Sequence, residues 1–119
     1  MRRGEIYLVD LSNSIGSEQI GVRPAVIVQN ERGNRYSPTT IICPMTSKQK
    51  TVLETHITLS PSECGVLRDS TVLCEQVRVI DKSRIIKKVG EISSTKIMSD
   101  IDKRLMISLG LSKPITFWG

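Results

Sequence analysis

A guanidinium group at the end of a polar loop is the first chemical opportunity in this chain. Gly16-Ser17-Glu18-Gln19-Ile20-Gly21-Val22-Arg23-Pro24 carries several kinds of polar side chain and ends on an arginine. Arg23 precedes a proline, which biases it to extended backbone, and Pro24-Ala25-Val26-Ile27-Val28-Gln29 beyond it is β-branched and apolar enough for a buried strand. Arg23 would then stand fixed at a loop-to-strand junction, where a loop can form one wall of a site. The alternative is a solvated connection with an ordinary surface arginine. The glycines show neither GxxxxGKS/T nor GxGxxG spacing, so neither nucleotide-phosphate fingerprint is present.

Other reactive side chains are few. Cys43, Cys64 and Cys74 are odd in number, lack CxxC spacing and have only His56 to join them, which argues against a disulfide framework or a zinc site and for buried thiols in a reducing cytoplasm. A net charge of +5, spread along both halves, would attract a polyanion: RNA, DNA or an acidic protein segment. Tyr7, Tyr36, Phe117 and Trp118 are too few aromatics for a base-stacking platform. Acid enters the chain at Glu5 and no apolar run approaches membrane-spanning length, so neither secretion nor insertion is expected.

The elements that must position these groups are short strands. Residues 5–10 alternate as a half-buried strand, 12–21 read as a long loop, and 24–29 as a buried strand. Residues 30–38, with Gly33, two asparagines and Pro38, read as a connection, after which 39–43 resume as strand up to Pro44, with Thr46 just beyond. Further strands are expected at 54–59, 70–74 and 76–80, with Pro61 and Gly65 marking a turn, and Asp81 can cap a helical turn over Lys82-Ser83-Arg84. Ile97, Met98, Ile101, Leu105 and Leu109 then fall at helical spacing, with Gly110 and Pro114 as the stop. The expected fold is one mainly-β domain over 1–119: a small barrel or strongly bent antiparallel sheet covered by a C-terminal amphipathic helix.

An ordered set of motifs along nearly the whole chain resembles the MazF/PemK toxins. The motifs are Arg3-Gly4-Glu5-Ile6-Tyr7-Leu8-Val9-Asp10-Leu11, Gly16-Ser17-Glu18-Gln19, Gly21-Val22-Arg23-Pro24, Gln29-Asn30 and Gly33-Asn34-Arg35-Tyr36-Ser37-Pro38-Thr39. They continue with Thr46-Ser47, Arg68-Asp69-Ser70, Glu75-Gln76-Val77-Arg78-Val79-Ile80-Asp81-Lys82 and the tail through Ile107-Ser108-Leu109. The resemblance implies an SH3-like or barrel-like β-structure with a C-terminal helix. It further implies a homodimeric endoribonuclease that cuts single-stranded RNA at short sequences and is held inactive by a cognate MazE-like antitoxin. It places the catalytic arginine on Arg23 and its threonine partner on Thr46. Gln76 and Arg78 fall near the RNA groove with Ser47, and Ser17, Glu18 and Gln19 on a mobile loop beside it.

Those residue types suit the implied reaction. RNA brings its own nucleophile, the ribose 2′-hydroxyl, so the protein has to move two protons and stabilise charge on the phosphorane. A guanidinium fork matches the last task, and a threonine hydroxyl can add a hydrogen bond to the same phosphate. An arginine with a pKa above about 12 is a poor base, which leaves Glu18 as the alternative proton acceptor. Histidine is a common proton-transfer residue, but a lone histidine near a strand is usually satisfied there, and the resemblance does not place His56 in the site. Neither metal nor cofactor is implied. Ser17 stands where some PemK-type members have a histidine, Cys43-Pro44 looks PemK-like, and Lys48-Gln49-Lys50-Thr51-Val52-Leu53-Glu54 matches neither branch. Two alternatives come from other classes: a gyrase poison, because Phe117-Trp118-Gly119 is similar to the tail of the CcdB toxins, and a non-catalytic nucleic-acid-binding module.

Overall fold

The structure is a computed structural model that describes residues 1–47 and 53–112. Its centre is β2 (Val22–Ile27), antiparallel to β1 (Glu5–Asp10) on one side and β3 (Thr39–Thr46) on the other. Ala25, Val26 and Ile27 are all buried because each face of β2 meets a core. Val26 packs with Ile6, Cys43, Met45, Val72 and Ile101, whereas Ala25 and Ile27 pack with Val9, Leu11, Ile42 and Ile80. A strand covered on both faces needs an unbroken apolar run, which is what Ala25-Val26-Ile27-Val28 supplies.

β3 bends the sheet. Thr39–Ile42 pair with β6 (Arg78–Asp81), while Met45 and Thr46 pair with Val72 and Thr71 of β5 (Ser70–Leu73). A 3₁₀ turn, Cys74–Gln76, joins β5 to β6 at the level of Cys43 and Pro44, where proline has no N–H to offer a ladder. β4 (His56–Leu59) adds to β5, and β7 (Ile85–Glu91) adds to the far edge of β1. Among the described residues the order is β4-β5-β3-β2-β1-β7, with β6 on β3. This strongly bent antiparallel sheet is the architecture expected from the sequence.

Two short helices fill the connections: α1 (Glu31–Tyr36) after β2, and α2 (Pro61–Cys64) between β4 and β5. The long helix α3 (Thr95–Ser108) starts on Ser94, whose hydroxyl accepts from the Ile97 N–H at 3.2 Å. Its Ile101 is fully buried, and Ile97, Met98 and Leu105 pack against the larger core. The Arg3 guanidinium donates to Asp102 and to the Val28 carbonyl, tying α3 to the start of β1 and the end of β2. Leu109, expected on the apolar stripe, lies past the last turn and is exposed.

Several boundaries differ from the sequence reading. Residues 30–38 contain α1, because the Asn30 side chain accepts from the Gly33 N–H at 2.8 Å and caps a helix that the polar composition conceals. Buried Asn34 accepts from Thr40 Oγ1 at 2.7 Å and donates to the Gln29 carbonyl at 2.9 Å, so it locks α1 to β3. β2 begins at Val22 rather than Pro24 and ends at Ile27. β3 runs through Pro44, which makes Thr46 its last residue instead of one beyond it. Gln76 lies in the 3₁₀ turn, so β6 starts at Arg78. β7 has no counterpart in the sequence reading: it is an edge strand whose Lys87, Lys88 and Gly90 break the apolar pattern. The Asp81 cap is present, its carboxylate accepting from the Ser83 N–H at 2.9 Å. Cys43, Cys64 and Cys74 are free and buried, as expected. The Phe117-Trp118-Gly119 tail, Pro114 and residues 48–52 lie outside the described residues.

Candidate active site

The β2–β3 ladder pairs Ile27 with Ile42, Val26 with Cys43 and Ala25 with Pro44, then stops. The next residue of β2, Pro24, has no N–H to extend it. Beyond that point the strands border a cleft of about 510 Å³ whose other walls are the α2–β5 connection and β7. Arg23, Thr46 and Ser47 line it together, with Leu8, Val22 and Val66 among its apolar walls.

The Arg23 Nε donates to the Ile20 carbonyl at 2.7 Å. That bond fixes the plane of the guanidinium, and among the described residues no protein group accepts from its two terminal amino groups. Thr46, only 7 % exposed, is held in the β5 ladder opposite Thr71, while Ser47 is exposed at the rim.

Arg68, Lys87 and Lys88 also line the cleft, and among the described residues no aspartate or glutamate does. Sequence reasoning assigned these three no role. Arg68 stood in a motif without an obvious task, and the two lysines belong to the strand that the pattern did not reveal. Lys88 is committed to Glu5 at 2.8 Å and Glu91 at 3.2 Å, pairings that raise its pKa. Burial alone would raise the Glu5 pKa, but the bonds from Lys88, the Arg2 N–H and Tyr7 outweigh it and pull the group down to about 2. Among the described residues Arg23, Arg68 and Lys87 have no ion-pair partner, so the cleft is electropositive.

The remaining sequence-predicted residues gather in a second hollow of about 240 Å³, lined by Glu18, Gln19, Pro44, Glu75, Gln76 and Arg78. Gln76 bridges to the loop with both ends of its amide: Oε1 accepts from the Gln19 N–H at 2.8 Å, and Nε2 donates to the Ser17 carbonyl at 3.3 Å. Arg78 donates to Ser14 Oγ at 2.8 Å and lies 3.8 Å from a Glu18 carboxylate oxygen. The other Glu18 oxygen accepts from the Ile15 N–H at 3.2 Å. Ser17, Glu18, Gln19, Gln76 and Arg78 therefore form a loop anchorage beside the Arg23 cleft rather than part of its lining.

His56 is engaged at both nitrogens. A backbone N–H can only donate, so the 3.1 Å bond from Leu53 makes Nδ1 the acceptor, and Nε2 donates to Glu75 at 2.8 Å. With its side chain 2 % exposed, His56 is a structural group on β4. Among the described residues no three His, Cys, Asp or Glu side chains cluster as metal ligands would.

Residues 2–109 match the model of the family described as PemK-like, MazF-like toxin of type II toxin-antitoxin system. The chain is 44 % identical over 112 residues to the endoribonuclease EndoA of Bacillus subtilis, covering 93 % of this chain and 96 % of that one. It is 45 % identical over 112 residues to the endoribonuclease MazF of Staphylococcus saprophyticus, at 93 % and 92 % coverage. Its fold is similar to the crystal structure of MazF from Deinococcus radiodurans, with a TM-score of 0.80 at 26 % identity over 92 % of this chain and 96 % of that one. A mycobacterial endoribonuclease solved with its cognate antitoxin gives a TM-score of 0.76 at 25 % identity, over 96 % of this chain and 99 % of that one. With the motifs in order, the bent sheet in place and Arg23 and Thr46 lining one cleft, this chain belongs to the PemK-like, MazF-like family of type II toxins.

Proposed function

We propose that this chain is an endoribonuclease toxin that cuts single-stranded RNA in the Arg23 cleft, without a metal ion. The observation that carries the reading is the guanidinium of Arg23: fixed through Nε, its terminal amino groups without an acceptor among the described residues, in a cationic cleft that no described carboxylate lines. A phosphodiester fits that description, since its two oxygens match the guanidinium fork.

In the reaction the ribose 2′-oxygen forms a bond to phosphorus and gives up its proton. The bond from phosphorus to the 5′-oxygen breaks, and that oxygen takes a proton. The products are a 2′,3′-cyclic phosphate and a 5′-hydroxyl. Arg23 stabilises the charge gathering on the phosphorane, and losing a preorganised donor of this kind typically costs about a hundredfold or more in rate. Thr46 adds a neutral hydrogen bond to the same phosphate, and Ser47 contacts RNA at the rim. Arg68 and Lys87 hold flanking phosphates. Glu18 faces the second hollow, so a proton-accepting role for it requires the loop to move toward the cleft. His56 has neither nitrogen to spare.

The chain acts as one domain, in the cytoplasm, as a homodimer. Its partner is an antitoxin whose acidic, initially disordered segment lies across the cationic cleft and excludes RNA. Among the described residues no helix is long and apolar enough to cross a membrane. Purified protein incubated with protein-free single-stranded RNA in EDTA tests the reading. Fragments with cyclic-phosphate and 5′-hydroxyl ends are expected. Intact RNA, or activity that returns only with Mg²⁺, would overturn it.

A further inference from the structure

We infer that Gln76 is a positioning residue for Arg23, acting through the loop of residues 12–21 rather than by touching RNA. The inference rests on the reading of Arg23 as the phosphate-stabilising group, and its observations are a continuous series of hydrogen bonds. The loop is closed at its base, where the Leu11 N–H donates to the Gly21 carbonyl at 2.9 Å. Near its far end the Gln76 amide meets the loop as a neighbouring strand would, taking the Gln19 N–H at 2.8 Å and giving to the Ser17 carbonyl at 3.3 Å. The carbonyl of the next residue after Gln19, Ile20, receives the Arg23 Nε at 2.7 Å. Whatever holds Gln19 in place therefore sets where the Ile20 carbonyl stands, and that carbonyl sets the plane of the guanidinium.

The geometry explains why an amide is needed at position 76. A carboxylate would still accept from the Gln19 N–H but would set a second acceptor against the Ser17 carbonyl, and a methyl group would meet neither. Gln76 sits on the 3₁₀ turn between β5 and β6, opposite the Pro44 segment of β3, so its own backbone is anchored in the sheet. A rigid sheet thus holds the exposed loop, and the loop holds the arginine. Arg78 supports the same loop through Ser14 at 2.8 Å, two residues further along the β5–β6 segment.

The test uses Gln76→Ala and Gln76→Glu in the full chain, with three readouts: single-turnover cleavage, RNA affinity on a substrate carrying a 2′-deoxy group at the cut position, and exchange of the Arg23 Nε–H and Gln19 amide by NMR. Gln76→Ala should speed exchange of both protons and Gln76→Glu that of the Arg23 Nε–H, and both should lower the cleavage rate about ten- to hundredfold, the scale of a small misplacement of a reacting group, with affinity changed less than about threefold. In an Arg23→Lys background, whose side chain has no Nε–H, adding Gln76→Ala should cost less than about twofold, because the two act in series. Affinity lost with both protons still protected would make Gln76 an RNA contact and overturn the inference. So would full additivity with Arg23→Lys. Faster exchange in Gln76→Ala together with wild-type cleavage by Arg23→Ala would instead refute the role of Arg23 itself and leave the positional link standing.

Discussion

Arg23 of β2 and Thr46 of β3 line one cleft, each two residues beyond the last position at which their strands pair. The register joins Ala25 to Pro44, and continued in the same sense it sets Arg23 opposite Thr46. Because the ladder has ended, the two side chains border an open cleft rather than a sheet surface. A charged fork and a hydroxyl 23 residues apart in sequence thereby border the same cleft.

Thr46→Val keeps the β-branched shape and removes the hydroxyl. Cleavage should fall by about ten- to thirtyfold, less than for loss of Arg23, since a neutral hydrogen bond is worth less than a charge-assisted one. Circular dichroism should show the variant folded at the assay temperature, so that the loss in rate reports on the contact with the substrate. A matching loss of stability would identify it as a structural group.

Arg68 and Lys87 should act on RNA affinity more than on the chemical step. Arg68→Gln and Lys87→Gln are each expected to weaken binding of uncleavable RNA and to flatten its dependence on salt. For single strands the slope of log affinity against log salt should drop by about 0.7 per lost phosphate contact. An unchanged slope would show that neither side chain meets a phosphate.

Glu5 makes folding sensitive to acid. Its folded pKa of about 2 lies below the ordinary 4.5, so its contribution is complete above 4.5 and is lost as pH falls through 2. Glu5→Gln should therefore destabilise the protein at pH 7, by about 1–3 kcal/mol for a mostly buried charge-assisted network. The gap from wild type should narrow below pH 4.5, as read from urea midpoints at successive pH values. A gap that stays constant with pH would assign the effect to packing instead.

Gly90 is required where β7 passes the end of α2. A Cβ built there would stand 2.2 Å from the Cys64 carbonyl oxygen, a backbone atom that cannot step aside. Gly90→Ala should cost at least about 1–3 kcal/mol, as overpacking does. Near-wild-type stability in denaturant would show that β7 and α2 are not packed this closely.

Much of this arrangement is legible in the sequence. The apolar run after Arg23 marked β2, the helical spacing from Ile97 marked α3, and the ordered motifs carried the family with Arg23 and Thr46. What escaped had physical reasons. α1 depends on an Asn30 cap inside a polar stretch, and β7 is an edge strand that needs no apolar alternation. With β7 hidden, nothing marked Lys87 and Lys88 as neighbours of Arg23 in one cleft. The grip of Gln76 on backbone atoms of Gln19 and Ser17 spans 57 and 59 residues, and no local pattern encodes it.

The most direct measurement compares wild type with Arg23→Ala on one single-stranded RNA in EDTA, with product ends identified by mass spectrometry and folding checked by circular dichroism. Wild type should yield 2′,3′-cyclic phosphate and 5′-hydroxyl ends, and the folded variant should lose at least about a hundredfold in rate, as removal of a preorganised charge-stabilising donor does. Wild-type cleavage by Arg23→Ala, or 3′-hydroxyl and 5′-phosphate ends from the native protein, would contradict the Arg23-centred mechanism.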